Sequence, residues 1–245
     1  MNFNRRQDEI LKTVELEITL RCNNACANCN RLVGIWTPPE SDMTLGQIQT
    51  FIDQTKNRYD RLGIPLDHIR IIGGEPLIHP RFITIYLMLV EQLKKSGLLK
   101  KIILVTNGIL PIPSEYKDQI EVIPIPQKRH SNFFISPQDT GLMMTPCDAP
   151  WYCGIAVNAF GYFPGGACCS LIRLFGLQEE VRYDFPDTIA TWSLNKICPH
   201  CVHAICPAPE GAPIDTKPLD VPMSERFKAC IENKTRMLLK RLPEA

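Results

Sequence analysis

Three cysteines, Cys22, Cys26 and Cys29, fall inside "EITLRCNNACANCNRL", residues 17–32, directly after a strand-like stretch. Three thiolates on one tight loop suit an iron–sulfur cluster, which cysteine sulfurs hold. Three protein ligands leave one iron of a 4Fe-4S cluster open to a small molecule. Structural zinc normally closes four ligands, and no fourth ligand lies near this loop. The alternative, three ordinary thiols, leaves the agreement of spacing, loop and strand unexplained. Eight of the eleven cysteines come later, all after residue 145.

The elements around the loop must aim those thiols. Residues 14–20, "VELEITL", alternate apolar and polar, the period of a half-buried strand. Thr44 with Gln47 forms a predicted capping box, and Leu45, Ile48 and Ile52 share one helical face behind it. "HIRIIGGEP" reads as a buried strand ending at Gly73-Gly74. "RFITIYLMLVEQLKKSG" reads as a helix with Gly97 as C-cap. "KKIILVTNG" is a further buried strand, and "EVIPIP" a proline-weakened one. Strand, helix, strand, helix, strand over residues 14 to about 125 predicts a parallel sheet covered by helices. In such folds the carboxyl ends of the strands share one rim, so "RCNNAC", "GGEP" and "TNG" are expected side by side.

Composition narrows the class. A chain of 245 residues can bury a sizeable core. The net charge of +1 offers no footprint for nucleic acid or an anionic membrane. No run of about 18 apolar residues and no signal-peptide pattern occur, so a cytoplasmic protein without membrane contact is expected. Clustered cysteines there bind metal or react more often than they form disulfides.

CxxxCxxC after the first strand, joined to GGEP after the second, resembles the radical S-adenosylmethionine (SAM) superfamily. The resemblance implies an α/β fold, a partial (βα)6 barrel over residues 1–140. It implies that Cys22, Cys26 and Cys29 hold a 4Fe-4S cluster whose open iron takes SAM. It implies that Gly73, Gly74, Glu75 and Pro76 serve the SAM amino group, with Glu75 as acceptor. Thr106 and Asn107 of "VTNG" are candidates for the SAM ribose or carboxylate, beside the plain reading as a strand-end turn. Lys128 and Arg129 read better as a solvated pair. Asn28 stands where the family often has an aromatic residue; its backbone can reach adenine, but it cannot stack.

From residue 141 to 245 the texture changes. "GIAVNAFGYF" predicts a hairpin with its turn at Asn158–Gly161, and "MSERFKACIENKTRMLLKRL" predicts an amphipathic helix. Cys147, Cys153, Cys168, Cys198, Cys201 and Cys206 around them resemble the SPASM or twitch extension of some radical SAM enzymes, a small cysteine-rich hairpin-plus-helix unit. That resemblance implies at least one auxiliary 4Fe-4S cluster. The pattern is incomplete: Glu210 stands where a full extension often has a cysteine. Cys169 and Cys230 read as inert thiols, His200 and His203 as neighbours rather than ligands, and Trp151 and Tyr152 as core. A zinc site in this region is the competing reading.

The expected function is reductive cleavage of SAM to a 5′-deoxyadenosyl radical, with electrons from a flavodoxin or ferredoxin. The radical would abstract hydrogen from a substrate, in an oxidative transformation of a small molecule. Alternatives are a peptide-modifying maturase, a glycyl-radical activase and a non-catalytic metal-binding module. Only about thirteen residues precede the first strand, too few for a leader-binding domain, which favours the small molecule.

Overall fold

The computed structural model of the protein describes residues 8–35, 37–38, 40–124, 133–141, 147–205, 222–233 and 240–244. Lys128, Arg129, His130, Cys206 and Glu210 lie outside these.

One mixed six-stranded sheet organises the chain, in the order β4-β3-β2-β1-β5-β6. Strand β1 spans Thr13–Thr19 and helix α1 spans Leu45–Leu62. Strand β2 spans Leu66–Gly73, helix α2 spans Phe82–Leu89, and β3 spans Leu99–Thr106. The short β4, Glu121–Pro124, closes one edge, where a proline costs no ladder bond. Two single-turn helices follow, α3 at Pro137–Thr140 and α4 at Ala149–Tyr152. The hairpin β5, Ile155–Asn158, and β6, Gly161–Phe163, leads into α5, Gly166–Phe175. Helices α6, Leu194–Ile197, and α7, Glu225–Glu232, complete the described elements.

Local chemistry explains the boundaries. The Thr44 hydroxyl accepts from the Gln47 amide at 3.1 Å and the Gln47 side chain accepts from the Thr44 amide at 3.1 Å, a reciprocal cap on α1. Gly63 ends α1 at φ 66°, a conformation that favours glycine. The helix begun by α2 loosens into a π turn over Val90–Lys94 before Gly97 turns the chain at φ 74°.

Strands β1 to β4 are parallel, and β5 joins β1 in parallel on the other side, Val14 opposite Ile155. The predicted hairpin therefore forms, with Asn158 opposite Gly161, and it continues the main sheet rather than starting a separate one. Val14, Leu16, Ile18, Ile69, Ile71 and Leu104 pack with α1 and α2 in the main core. A second core gathers Ala27 and Leu32 of the cysteine loop with Phe133, Phe134, Leu171, Val202 and Phe227.

Strand β1 departs from its half-buried expectation: all seven residues are buried. Its polar face, Glu15 and Glu17, is covered by the chain that follows the third cysteine. No helix among the described residues is long and apolar enough to cross a membrane.

Candidate functional site

The three expected motifs meet at the carboxyl ends of β1, β2 and β3. Cys22, Cys26, Cys29, Gly73, Gly74 and Asn107 all line one pocket, of about 600 Å³ including its opening to solvent. The loop is tied by its own turns: the Cys29 amide donates to the Cys26 carbonyl at 3.2 Å and the Leu32 amide to the Cys29 carbonyl at 2.9 Å. Leu32 takes a left-handed φ of 60°, and its side chain is buried in the second core. Burial, then the neighbouring Cys29 and Cys22 thiols, pushes the Cys26 thiol up to about 11. Burial also raises the Cys22 thiol, with the Asn24 amide opposing it and Cys29 adding to it. Cys22 and Cys26 thus resist ionisation, through burial first and the charge of neighbouring thiols second, a conflict that a bound cation relieves.

The two glycines serve the loop itself. A Cβ on Gly74 would stand 2.1 Å from the Arg21 carbonyl oxygen and 3.1 Å from the Cys22 Cβ. A Cβ on Gly73, at φ 149°, would stand 2.0 Å from the Thr19 carbonyl oxygen. Only glycines let the end of β2 lie this close to the segment that carries Cys22. There the Gly74 and Glu75 amides donate to the Thr19 and Arg21 carbonyls, each at 2.8 Å.

Glu75 is fully buried, and both carboxylate oxygens are engaged within the protein. One accepts from the Thr106 hydroxyl at 2.8 Å and the Leu77 amide at 3.1 Å; the other accepts from the Asn107 amide at 2.8 Å. Glu75 thereby pins the end of β3 to the end of β2, and Pro76 opens the short turn behind it. Asn107 reaches the cysteine loop directly, donating to the Asn23 side-chain oxygen at 2.7 Å and to Cys22 Sγ at 3.8 Å. Asn28 is buried within the loop.

The later cysteines divide. Burial, then the thiols of Cys201, Cys198 and Cys147, holds the Cys168 thiol well above its ordinary value. Burial and Cys147 push Cys198 up to about 12, and burial, Cys147 and then Cys198 among nearby groups do the same to Cys201. Cys147, Cys168 and the Cys198–Cys201 turn, three separate segments, thus lie near enough for their thiol charges to act on one another. Cys153 acts on Cys147, and its own thiol is raised by burial and the Glu15 charge and lowered by Arg70. Among the described residues, no three or more His, Cys, Asp or Glu side chains converge on a single ion.

Neighbouring residues hold this second group. Phe175 stacks on His200 with ring centroids 4.1 Å apart. Arg226 of α7 contacts His200 Nδ1 and pairs with Asp139 at 3.2 Å. His203 is exposed, and Cys230 lies on α7 beside the second core. Tyr152 is 75% exposed with the Arg70 guanidinium over its ring, so it is surface rather than the expected core; Trp151 packs against the main core.

Glu15, Glu17 and Arg31 were not anticipated. Arg31 lines the pocket, donating from Nη2 to Glu15 at 2.9 Å and from Nε to Glu17 at 3.0 Å. Burial raises the Glu15 carboxyl, against the lowering pull of Arg31. On the strand these carboxylates carry the same alternation that a solvent-facing row shows, so the sequence alone carries no sign of their burial.

No protein-family profile matches the chain. Its curated relatives include the GTP 3',8-cyclases of Desulforamulus reducens, 27% identical over 44% of this chain and 30% of that protein, and of Peptoclostridium acidaminophilum, 33% identical over 51% and 35%. Molybdenum cofactor biosynthesis protein 1 of Bos taurus is 34% identical over 39% of this chain and 14% of its own length. The matched stretch thus spans about a third or less of each relative. Among solved structures, BtrN in an open conformation overlays 96% of this chain and 88% of its own, at 14% identity and a TM-score of 0.44. BtrN in complex with AdoMet and 2-DOIA overlays 42% and 39%, at 21% identity and a TM-score of 0.34. The sequence relatives support the radical SAM resemblance at the level of the superfamily.

Proposed function

We propose that the chain is a radical SAM enzyme in which Cys22, Cys26 and Cys29 hold a 4Fe-4S cluster and residues 1–140 form the SAM-cleaving unit. The observation that carries this is the meeting of three thiols, the Gly73-Gly74 edge and Asn107 around one pocket. The all-thiol donor set on a part-exposed loop fits such a cluster, whose sulfur ligands are cysteine thiolates. When bound, it supplies the electron that splits SAM into methionine and a 5′-deoxyadenosyl radical able to take hydrogen from a substrate.

The chain's own part is placement. Gly73 and Gly74 seat the cysteine loop against β2. Glu75 fixes Thr106 and Asn107 at the pocket wall, where the Asn107 side chain can meet the polar parts of SAM. The residues 141–245 supply the second thiol group, and we assign Cys147, Cys168, Cys198 and Cys201 to one auxiliary 4Fe-4S cluster. Cys153 and Cys206 are left as further thiols. An auxiliary cluster can accept the electron left after hydrogen abstraction, which makes an oxidative outcome, and an oxidoreductase, the favoured reading. The name GTP 3',8-cyclase denotes a small nucleotide substrate for the relatives, and supports a small molecule over a peptide here. A flavodoxin or ferredoxin is the proposed electron donor, and the cytoplasm the proposed compartment.

The test is anaerobic purification with iron and sulfide analysis, followed by SAM cleavage under dithionite. Wild-type protein is expected to contain iron and sulfide and to release 5′-deoxyadenosine. Cys22→Ala, Cys26→Ala and Cys29→Ala are each expected to release none. Zinc without sulfide in the wild type, or normal 5′-deoxyadenosine from any of the three variants, overturns the reading.

A further inference from the structure

Glu17 and Asn158 are both 0% exposed, on the adjacent strands β1 and β5. Burying a charge or an amide is costly unless every polar atom is paired, and an apolar pair of similar volume is often no less stable. The pairing here is complete and directional. One Glu17 oxygen accepts from Arg31 Nε at 3.0 Å, and the other accepts from Asn158 Nδ2 at 2.8 Å. The same Asn158 nitrogen donates its second hydrogen to Cys169 Sγ at 3.1 Å, and Asn158 Oδ1 accepts from the Phe160 amide at 2.9 Å in the hairpin turn. Arg31 follows Cys29 by two residues; Cys169 adjoins Cys168. Arg173 of α5 donates to the Arg31 carbonyl at 3.1 Å, which ties the same two segments a second time. Gly166 keeps the space open: a Cβ there would stand 2.2 Å from Arg31 Nη2 and 2.7 Å from the Glu17 carboxylate.

We propose that Glu17 is a positioning residue shared by both thiol sites, holding the Cys29 side through Arg31 and the Cys168 side through Asn158. The proposal rests on the two-site reading above for its functional meaning, but its mechanical content can be tested whether or not clusters are present. It makes β1 the common frame on which two separately built thiol groups are set relative to each other.

The experiment is amide hydrogen exchange, with iron analysis alongside, on full-length protein carrying Glu17→Gln, Arg31→Met or Asn158→Ala. A glutamine at 17 keeps the volume but can accept from only one of its two donors. Glu17→Gln is expected to speed exchange in both the 22–32 loop and the 158–170 segment, by roughly tenfold for the loss of a buried charge-assisted bond. Arg31→Met should loosen chiefly the first segment, and Asn158→Ala chiefly the second. The double variant Glu17→Gln, Asn158→Asp exchanges amide for carboxylate, re-forms the link and should restore protection of the 158–170 segment. Equal loosening everywhere in all variants, or exchange in Glu17→Gln confined to one segment, overturns the shared role. Wild type without iron and sulfide overturns the cluster reading while leaving the exchange pattern to decide the inference.

Discussion

The two thiol sites are built on opposite plans. Cys22, Cys26 and Cys29 come from one loop, stand half-buried, and face a pocket open to solvent. Cys147, Cys168 and the Cys198–Cys201 pair come from three segments, and Cys198 and Cys201 lie buried in an apolar core with Phe133, Phe134 and Phe227. A site on a local loop needs only that loop and the strand ends beneath it. A site assembled from distant segments needs the fold first, and its ligation energy becomes part of the energy of folding. The first plan suits an exchangeable small ligand at the fourth position; the second suits a closed, permanent group.

The sharpest test of the contrast is ligand removal at the second site. Replacing Cys168, Cys198 and Cys201 together by Ala is expected to remove about four irons per chain, one cluster's worth. Limited proteolysis should then cut the region after residue 145 faster, while 5′-deoxyadenosine formation under dithionite persists. Matching variants in the 22–32 loop should abolish that formation without opening the later region to protease. If both sets behave alike, the two plans are not distinct.

Gly74→Val sharpens the same comparison within the first site. The added atoms collide with the Arg21 carbonyl beside Cys22, so iron at the first site, and not only SAM affinity, is expected to fall. Glu75→Gln removes charge but little volume. It should weaken SAM binding with iron retained, and cost about 1–3 kcal/mol of stability from its paired amides and hydroxyl. Iron analysis and isothermal titration with SAM check both. Retained iron in Gly74→Val would mean the loop has more room than the β2 contacts allow.

The smallest effect lies far from either site. Asp187 pairs with Arg61 at 2.5 Å, and that hydrogen bond, with the charges of Arg61 and Arg58, holds its carboxyl below the usual value. A depressed folded value means the contribution is present above the ordinary carboxylate range and lost as pH falls through it. The pair is largely exposed, so Asp187→Asn should cost about 1 kcal/mol or less near pH 7. The difference in denaturant midpoint should shrink as the pH falls below the ordinary carboxylate range.

Much of this fold was legible in the residues. A period-two run marked β1, short apolar runs marked β2 and β3, the Thr44–Gln47 box marked the start of α1, and Asn158–Gly161 marked the hairpin turn, because each rests on contacts within a few residues. The side-by-side placement of the three motifs followed from parallel topology alone. What could not be read depends on covering segments. Glu15 and Glu17 look like a wet strand face until Arg31 and α5 fold over them. Cys153 ranks ahead of Cys147 as a ligand on the chain, yet only packing shows the Cys147 charge acting on Cys198 and Cys201 and Cys153 set near Glu15 and Arg70. Glu75, expected to face a ligand, is instead spent on tying two strand ends.

The seat of β5 beside β1 also sets a timetable for synthesis. Glu17 and its partner Asn158 are 141 residues apart, so on the ribosome β1 has one unpaired edge until the hairpin emerges. At ordinary elongation rates that is a wait of roughly 10–30 s, during which Glu17 has Arg31 but lacks its second partner, Asn158. The central strand of the finished sheet is thus an edge strand for most of its early life, and its charged face discourages pairing with other chains during that interval. Loading of the first thiol loop into its final surroundings is consequently a late event, completed only after the distant hairpin has docked.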